Sequence, residues 1–363
     1  LEPGGMAALG IPDYRLPRQV LRTELEVIQQ MGAEIHYGRA MGRDFALQDL
    51  CERYAAVFLA IGAQRGSNLR IEGEDERPAG YMPGVAFLRS VNLDEPIEFG
   101  RRVVVVGGGN VAMDCARCAV RLGADEVHLV YRRTRQDMPA DHEEVEGAEE
   151  EGVIYHFLAN PSRLIIEEGR ITGVECVEMG MGEPDASGRR RPVPVEGSEF
   201  IIPCDVVIPA IGQQVDTSCL GDGEGPALSK WHTIEADPDT LSTSLPGVFS
   251  GGDCVSGPAT LIEAMAAGFR VSHSIDQYLR EGRVTLSDDE RMSRIYRPLA
   301  ALAEDDVDRL GRGERRTEMP VRPVEERVDD FEEIETGLSP EDALLEADRC
   351  LRCYRILLVA TDH

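Results

Sequence analysis

Residues 103–114 read Val-Val-Val-Val-Gly-Gly-Gly-Asn-Val-Ala-Met-Asp. Four consecutive β-branched residues favour a strand buried on both faces. The glycines after them remove the side chains that would block a tight turn into a helix. Gly107 and Gly109, with Ala112 in the third small position, make a GxGxxA pattern. Such a loop lets backbone N–H groups approach a pyrophosphate at the positive end of a helix. Outward from it, residues 110–122 carry helical spacing and stop at Gly123, and 126–131 (EVHLVY) form the next strand. Strand, glycine loop, helix and strand within about 30 residues is a βαβ unit of a parallel sheet.

The end of that second strand reports which nucleotide is expected. An NAD site usually places an acid about 20 residues after the glycines, on the ribose hydroxyls. Here Tyr131-Arg132-Arg133 occupies the place. Guanidinium groups suit a 2′-phosphate through charge-assisted, bidentate hydrogen bonds, each worth roughly 1.5–3 kcal/mol. The spacing therefore predicts NADPH, against the plainer reading of two solvated surface arginines.

A second constellation runs Pro246-Gly247-Val248-Phe249-Ser250-Gly251-Gly252-Asp253, then Pro258-Ala259-Thr260-Leu261-Ile262-Glu263-Ala264. A strand ending in Gly-Gly-Asp can aim a carboxylate at a ribityl hydroxyl, and a helix from about Ala259 can turn its positive end to a flavin pyrimidine. Elsewhere, 20–31 reads as a helix ending at Gly32, 33–37 as a short strand, and 57–61 as a buried strand closed by Gly62. Residues 141–151 read as an acidic helix, 171–202 as an antiparallel excursion turning at 184–188, and 205–208 and 247–250 as buried strands. Beyond about residue 285 an acidic, proline-bearing stretch reads as a surface-wrapping extension. It ends in an amphipathic helix from about residue 344.

Composition narrows the function. The 363 residues carry 38 Lys plus Arg against 66 Asp plus Glu, a net charge of −28. So acidic a chain is poorly matched to a phosphate backbone, and nucleic acid is not expected as a partner. No apolar run reaches 18 residues and no charged-then-apolar leader opens the chain, so a soluble cytoplasmic protein without a membrane span is expected. Leu1 in place of Met hints that the sequence begins within a longer protein. Nine cysteines, an odd number, argue against a disulfide framework. Cys115 and Cys118 lie one helical turn apart and read as core filling. Cys350 and Cys353 form a second Cys-x-x-Cys pair; two thiolates cannot complete a four-cysteine cluster, and iron–sulfur ligation with ligands from elsewhere, zinc, and no metal all stay open. The histidines show no ligand spacing.

The phrases Gly4-Gly5-Met6, GIPDYRLP at 10–17, AIGA at 60–63, GGGNVAMD, YRRTRQDMPA from Tyr131, GEPDASGRRRPVP from Gly182, PAIG at 209–212 and SGGDC closely resemble the NADPH- and FAD-dependent small subunit of glutamate synthase. Similar chains include the matching part of dihydropyrimidine dehydrogenase and the large subunit of bifurcating NADH-dependent ferredoxin:NADP oxidoreductase. The resemblance runs in order from about residue 3 to 280. It implies an α/β fold of two Rossmann-like domains, with the NAD(P)-binding domain inserted into the FAD-binding domain and an extended acidic C-terminal tail. The expected division puts the FAD-binding domain at 1–64 and again at 210–285, the NADPH domain between them at 65–209, and the extension at 286–363.

By matching position the resemblance implies that Gly5, Met6, Arg15, Gly62, Gly252, Asp253 and Thr260 touch FAD, and that Gly109, Asn110, Val111, Arg132, Arg133 and Gly212 touch NADPH. The family's first glycine loop for FAD is expected upstream of Leu1, so the chain reads as a fragment or as a subunit with an incomplete FAD site. The family's iron–sulfur phrase stands here as Glu346-Ala-Asp-Arg-Cys350-Leu-Arg-Cys353, making Cys350 and Cys353 candidate ligands of a [4Fe-4S] cluster. The expected activity is hydride exchange between NADPH and flavin, with single electrons leaving to iron–sulfur centres of a partner, glutamate synthase large subunit-like or ferredoxin-like. Hydride transfer calls for no side-chain acid or base, so no catalytic residue is expected. The competing reading is a non-catalytic nucleotide-binding or docking subunit.

Overall fold

The computed structural model describes residues 3–97, 99–184, 190–221, 223, 225–286 and 316–349. In chain order the helices are α1 (Met6–Leu9), α2 (Arg18–Gln30), α3 (Leu47–Arg53), α4 (Gly84–Asn92), α5 (Asn110–Arg121), α6 (His142–Glu150), α7 (Asp253–Ser256), α8 (Leu261–Glu281), α9 (Val324–Arg327) and α10 (Pro340–Arg349). The strands are β1 (Val57–Leu59), β2 (Arg65–Gly66), β3 (Arg102–Val106), β4 (Glu126–Tyr131), β5 (Ile154–Phe157), β6 (Ala159–Glu167), β7 (Arg170–Pro184), β8 (Arg190–Pro194), β9 (Phe200–Pro203), β10 (Val206–Pro209), β11 (Gln213–Gln214) and β12 (Val248–Ser250).

The valine run of β3 explains the central layers. Val103 and Val105 face α4 and α5, packing with Phe87, Leu88, Met113, Cys115 and Cys118. Val104 and Val106 face the other way, onto Leu164, Ile171, Val174, Cys176 and Ile202 of an antiparallel sheet. Both faces of β3 are thus buried, at roughly 1.5–3 kcal/mol per valine side chain removed from water, and no alternation survives in the sequence. The parallel sheet has the order β10-β3-β4-β5, with Val104 opposite His128 and Val105 opposite Ile208. The chain leaves β3 towards β4 on one side and returns to its other side through β10, so a topological switch point lies at the carboxyl ends of β3 and β10. β6, β7 and β9 form the antiparallel layer, with β8 extending β7.

A second parallel pair joins β1 to β12, Leu59 opposite Ser250. These partners are far apart in sequence and bracket the whole of the first sheet. Their core is separate, built on Leu47, Leu59, Val215, Ile234 and Val248.

Two expectations need correction, and one strand, β6, was not expected. Residues 33–37 form no strand, because a strand needs a hydrogen-bonding neighbour and no strand pairs there among the described residues. β6 carries no sequence signal of its own; its Asn160-Pro161 start masks the period-2 pattern. The helix expected from about Ala259 begins at Leu261. Cys115 and Cys118 are free, fully buried thiols, raised in pKa by burial, as core filling requires. Cys350, Cys353 and the tip of the turn at 184–188 lie outside the described residues. No described helix is long and apolar enough to cross a membrane.

Candidate functional site

At the switch point the carboxyl ends of β3, β4 and β10 open into a cleft of about 610 Å³. The strand-to-helix turn forms its floor. Gly107 N–H donates to Val130 O at 3.0 Å, and Ala210 N–H to Val106 O at 2.7 Å, so the three strand ends are held flush. A side chain at Gly107 would run into the Ala210 carbonyl, and one at Gly108 would lie 2.5 Å from the Tyr131 ring. Only glycine permits this turn. Gly109 precedes α5 with no side-chain cap, leaving first-turn N–H groups free for an anion.

The cleft gathers Gly107, Gly109, Asn110, Val111, Arg132, Arg133 and Gly212. Ala112 lies beneath it, fully buried, and contributes close helix–strand packing. Arg133 Nε is buried and has no hydrogen-bond partner among the described residues. A buried guanidinium nitrogen left unpaired is costly, and an anion in this cleft would satisfy it. No aspartate, glutamate, histidine, lysine or cysteine among the described residues lines the cleft. Tyr131, the remaining phenol, donates its hydroxyl hydrogen to Asp137 O at 2.7 Å.

Sequence reading missed several walls of this cleft. Leu69, Asn160 and Pro161 arrive from the loop before α4 and the start of β6, and Pro258 and Ala259 from the β1–β12 half. No local pattern marks the first three. Pro258 and Ala259 stand within the second constellation, which assigns them to the flavin side alone. Asn110 lines the cleft, yet its side-chain amide is engaged with Asp141.

In the other half, Gly62 and Gly252 follow β1 and β12, both with positive φ (69° and 74°); a side chain would meet open space at Gly62 and lie 3.9 Å from the Ala264 methyl at Gly252. Asp253 opens α7, its carboxylate accepting from Ala259 N–H at 3.2 Å. Burial, with Glu263 nearby, raises its pKa despite that bond. Thr260 caps α8 in a reciprocal box: its Oγ1 accepts from Glu263 N–H at 3.3 Å, and Glu263 Oε2 accepts from Thr260 N–H at 2.8 Å. Gly62 thus follows β1, while Gly252, Asp253 and Thr260 follow β12. Gly5 precedes α1, Met6 opens it and Arg15 lies between α1 and α2. α1 packs against α2 and α4, and Arg15 Nη1 lies 3.0 and 3.1 Å from the Asp114 oxygens, with its Nε 2.9 Å from Glu144. Among the described residues no group of three or more His, Cys, Asp or Glu could hold a metal ion.

Residues 21–268 match the family described as pyridine nucleotide-disulphide oxidoreductase. The chain is 51% identical over 360 residues to the NADP(+)-dependent formate dehydrogenase subunit beta of Moorella thermoacetica, covering 97% of this chain and 50% of that one. It is 36% identical over 297 residues to the glutamate synthase [NADPH] small chain of Escherichia coli strain K12, covering 77% and 62%. The structure of Mycobacterium tuberculosis FprA in complex with NADPH superposes over 80% of each chain with a TM-score of 0.61 at 18% identity, a likeness of fold. The chain spans about half the length of the curated relatives it matches.

Proposed function

The chain belongs to the pyridine nucleotide-disulphide oxidoreductase family, and on that premise we propose that it is the NADPH- and FAD-using subunit of a larger electron-transfer enzyme. The observation that carries the nucleotide is the cleft beside the glycine loop, where a buried Arg133 Nε lacks a protein partner among the described residues and no carboxylate of theirs intrudes. The first turn of α5 would receive the pyrophosphate, and Arg132 with Arg133 the 2′-phosphate. Gly107, Gly109 and Gly212 leave backbone where side chains would obstruct. Pro258 and Ala259 bring the β1–β12 half to the cleft's edge, and Gly62, Gly252, Asp253 and Thr260 of that half would hold the flavin.

FAD, when bound, would supply the hydride acceptor and the means of releasing electrons singly. The protein's part is to bind, orient and exclude water. Hydride transfer itself moves no proton to or from a side chain. Arg15 is withdrawn from the flavin set, since its guanidinium is engaged with Asp114 and Glu144. The outlet for single electrons, an iron–sulfur partner with Cys350 and Cys353 among the ligands, rests on the resemblance. So does the division into an NADPH domain at 65–209 set within an FAD domain. The subunit names of the relatives above support membership of a complex; which acceptor this one serves is a proposal of class only.

Replacing Arg132 and Arg133 together with alanine in the holoenzyme should lower kcat/KM for NADPH at least tenfold, about 1.4 kcal/mol, and change that for NADH less than about twofold. Equal losses with both nucleotides would refute the assignment.

A further inference from the structure

Asp141 stands at the N-cap of α6, yet its carboxylate makes no bond to its own helix. Its Oδ2 instead accepts from Asn110 Nδ2 at 3.0 Å, and its backbone N–H donates to Asn110 Oδ1 at 2.9 Å. Asn110 is the first residue of α5, directly after the glycine loop. The segment bridged is residues 132–141, which carries Arg132, Arg133 and Pro139 along the cleft. Three further ties support it. Ala140 N–H donates to Gly108 O at 3.2 Å, Thr134 Oγ1 donates to Asp137 Oδ2 at 2.6 Å, and the Tyr131 hydroxyl holds Asp137 O.

We propose that the Asn110–Asp141 pair is a positioning staple that sets the preference for a 2′-phosphorylated nucleotide. It rests on the reading of the cleft as an NADPH site. Arginine side chains on a surface loop lose much conformational freedom when they grip a phosphate, and a loop fixed at both ends has lost part of that freedom in advance. One end is fixed by β4. The staple fixes the other, to the same helix start that would hold the pyrophosphate. A nucleotide without the 2′-phosphate gains little from this, since backbone N–H groups of the glycine loop serve it equally.

The sign of the effect separates this role from simple electrostatics. Removing a carboxylate near an anion site should strengthen binding of a phosphate through charge alone. The staple predicts the reverse. In Asp141→Ala, calorimetric binding of NADP+ should weaken about fivefold, the worth of one net hydrogen bond, with NAD+ changed less than about twofold. Asp141→Asn should stay near wild type, because an amide oxygen can still accept from Asn110 and the backbone bond is untouched. In Asn110→Ala/Asp141→Ala, the NADP+/NAD+ preference should fall no further than in Asp141→Ala alone. An unchanged preference in Asp141→Ala, equal losses for both nucleotides, or an Asp141→Asn variant as impaired as Asp141→Ala would each overturn the staple. A wild-type chain without preference for NADP+ would overturn the underlying nucleotide reading as well.

Discussion

Asp114 closes the GGGNVAMD phrase, and its carboxyl is almost wholly buried, gripped by Arg15 Nη1 through both oxygens. Burial outweighs that grip and raises its pKa to about 6. A carboxyl with a folded pKa above its unfolded value binds its proton more tightly when folded, so this contribution is fully present below about pH 4 and lost as pH rises through about 6. Relative to Asp114→Asn, the wild-type chain should therefore gain stability as pH falls from about 7.5 to about 4.5, by up to about 3 kcal/mol. Urea unfolding of both proteins across that range checks this; a constant difference would count against it. Residues whose partners are local are legible in sequence. Arg132 and Arg133 follow directly on a strand, and position alone brings them to the cleft. The side-chain partners of Arg15 and Asn110, Asp114 and Asp141, lie 99 and 31 residues away, where spacing carries no signal.

Elements show the same division. α5 and β4 are readable because a helix period and a buried apolar run are each set within a dozen residues. The strand expected at 33–37 fails for want of a pairing edge. β4 and β5 lie side by side in parallel, Val130 opposite His156, and this register brings His128 Nδ1 within 3.0 Å of His156 Nε2. Histidines 28 residues apart give no hint of this contact. Burial, then the neighbouring His128, lowers the pKa of His156. A base with a depressed folded pKa contributes stability above its unfolded value, near pH 6.5, that is lost as pH falls through the folded one. Thermal unfolding should show this loss below about pH 6.5 in the wild type and a shallower one in His156→Gln. Parallel curves for the two proteins would remove the pair from the pH response.

Across the whole molecule, one buried carboxylate ties four chain segments together. Glu151 receives Arg117 Nη2 at 2.7 Å, Arg121 Nη1 at 2.6 Å and Arg327 Nε at 3.0 Å. Arg121 also lies 4.1 Å over the Tyr14 ring, and Ile334 N–H donates to Tyr14 O at 3.1 Å. Arg327 reaches Glu150 as well, at 2.6 Å, so the C-terminal extension is anchored at this point through a fully desolvated guanidinium. If Glu151 is neutralised, Arg117 keeps Glu144 and Arg327 keeps Glu150, whereas Arg121 pairs with Glu151 alone among the described residues. Glu151→Gln should therefore cost about 3–5 kcal/mol, the penalty for stranding a buried charge. Arg327→Ala should cost less, because Glu151 retains two guanidinium partners. Thermal unfolding of the two variants tests the order, and a larger loss in Arg327→Ala would contradict it. The net charge of −28 takes on meaning at this scale too. The described acids are kept out of the cleft at the switch point, so an anion would meet arginines at the end of its approach through a repelling field.

The amino-acid sequence by itself determined the βαβ unit, the glycine turn and the arginine pair at the strand's end, because backbone conformation and periodicity are settled by neighbours within a few residues. Tertiary structure alone decided that Pro258 and Ala259 wall the cleft beside the glycine loop, that Asn110 turns to Asp141, that Arg15 pairs with Asp114, and that Arg327 reaches Glu150 across 177 residues. These contacts join residues whose separation along the chain sets no distance between them. Packing of the buried layers brings them together, and burial then makes their pairing obligatory.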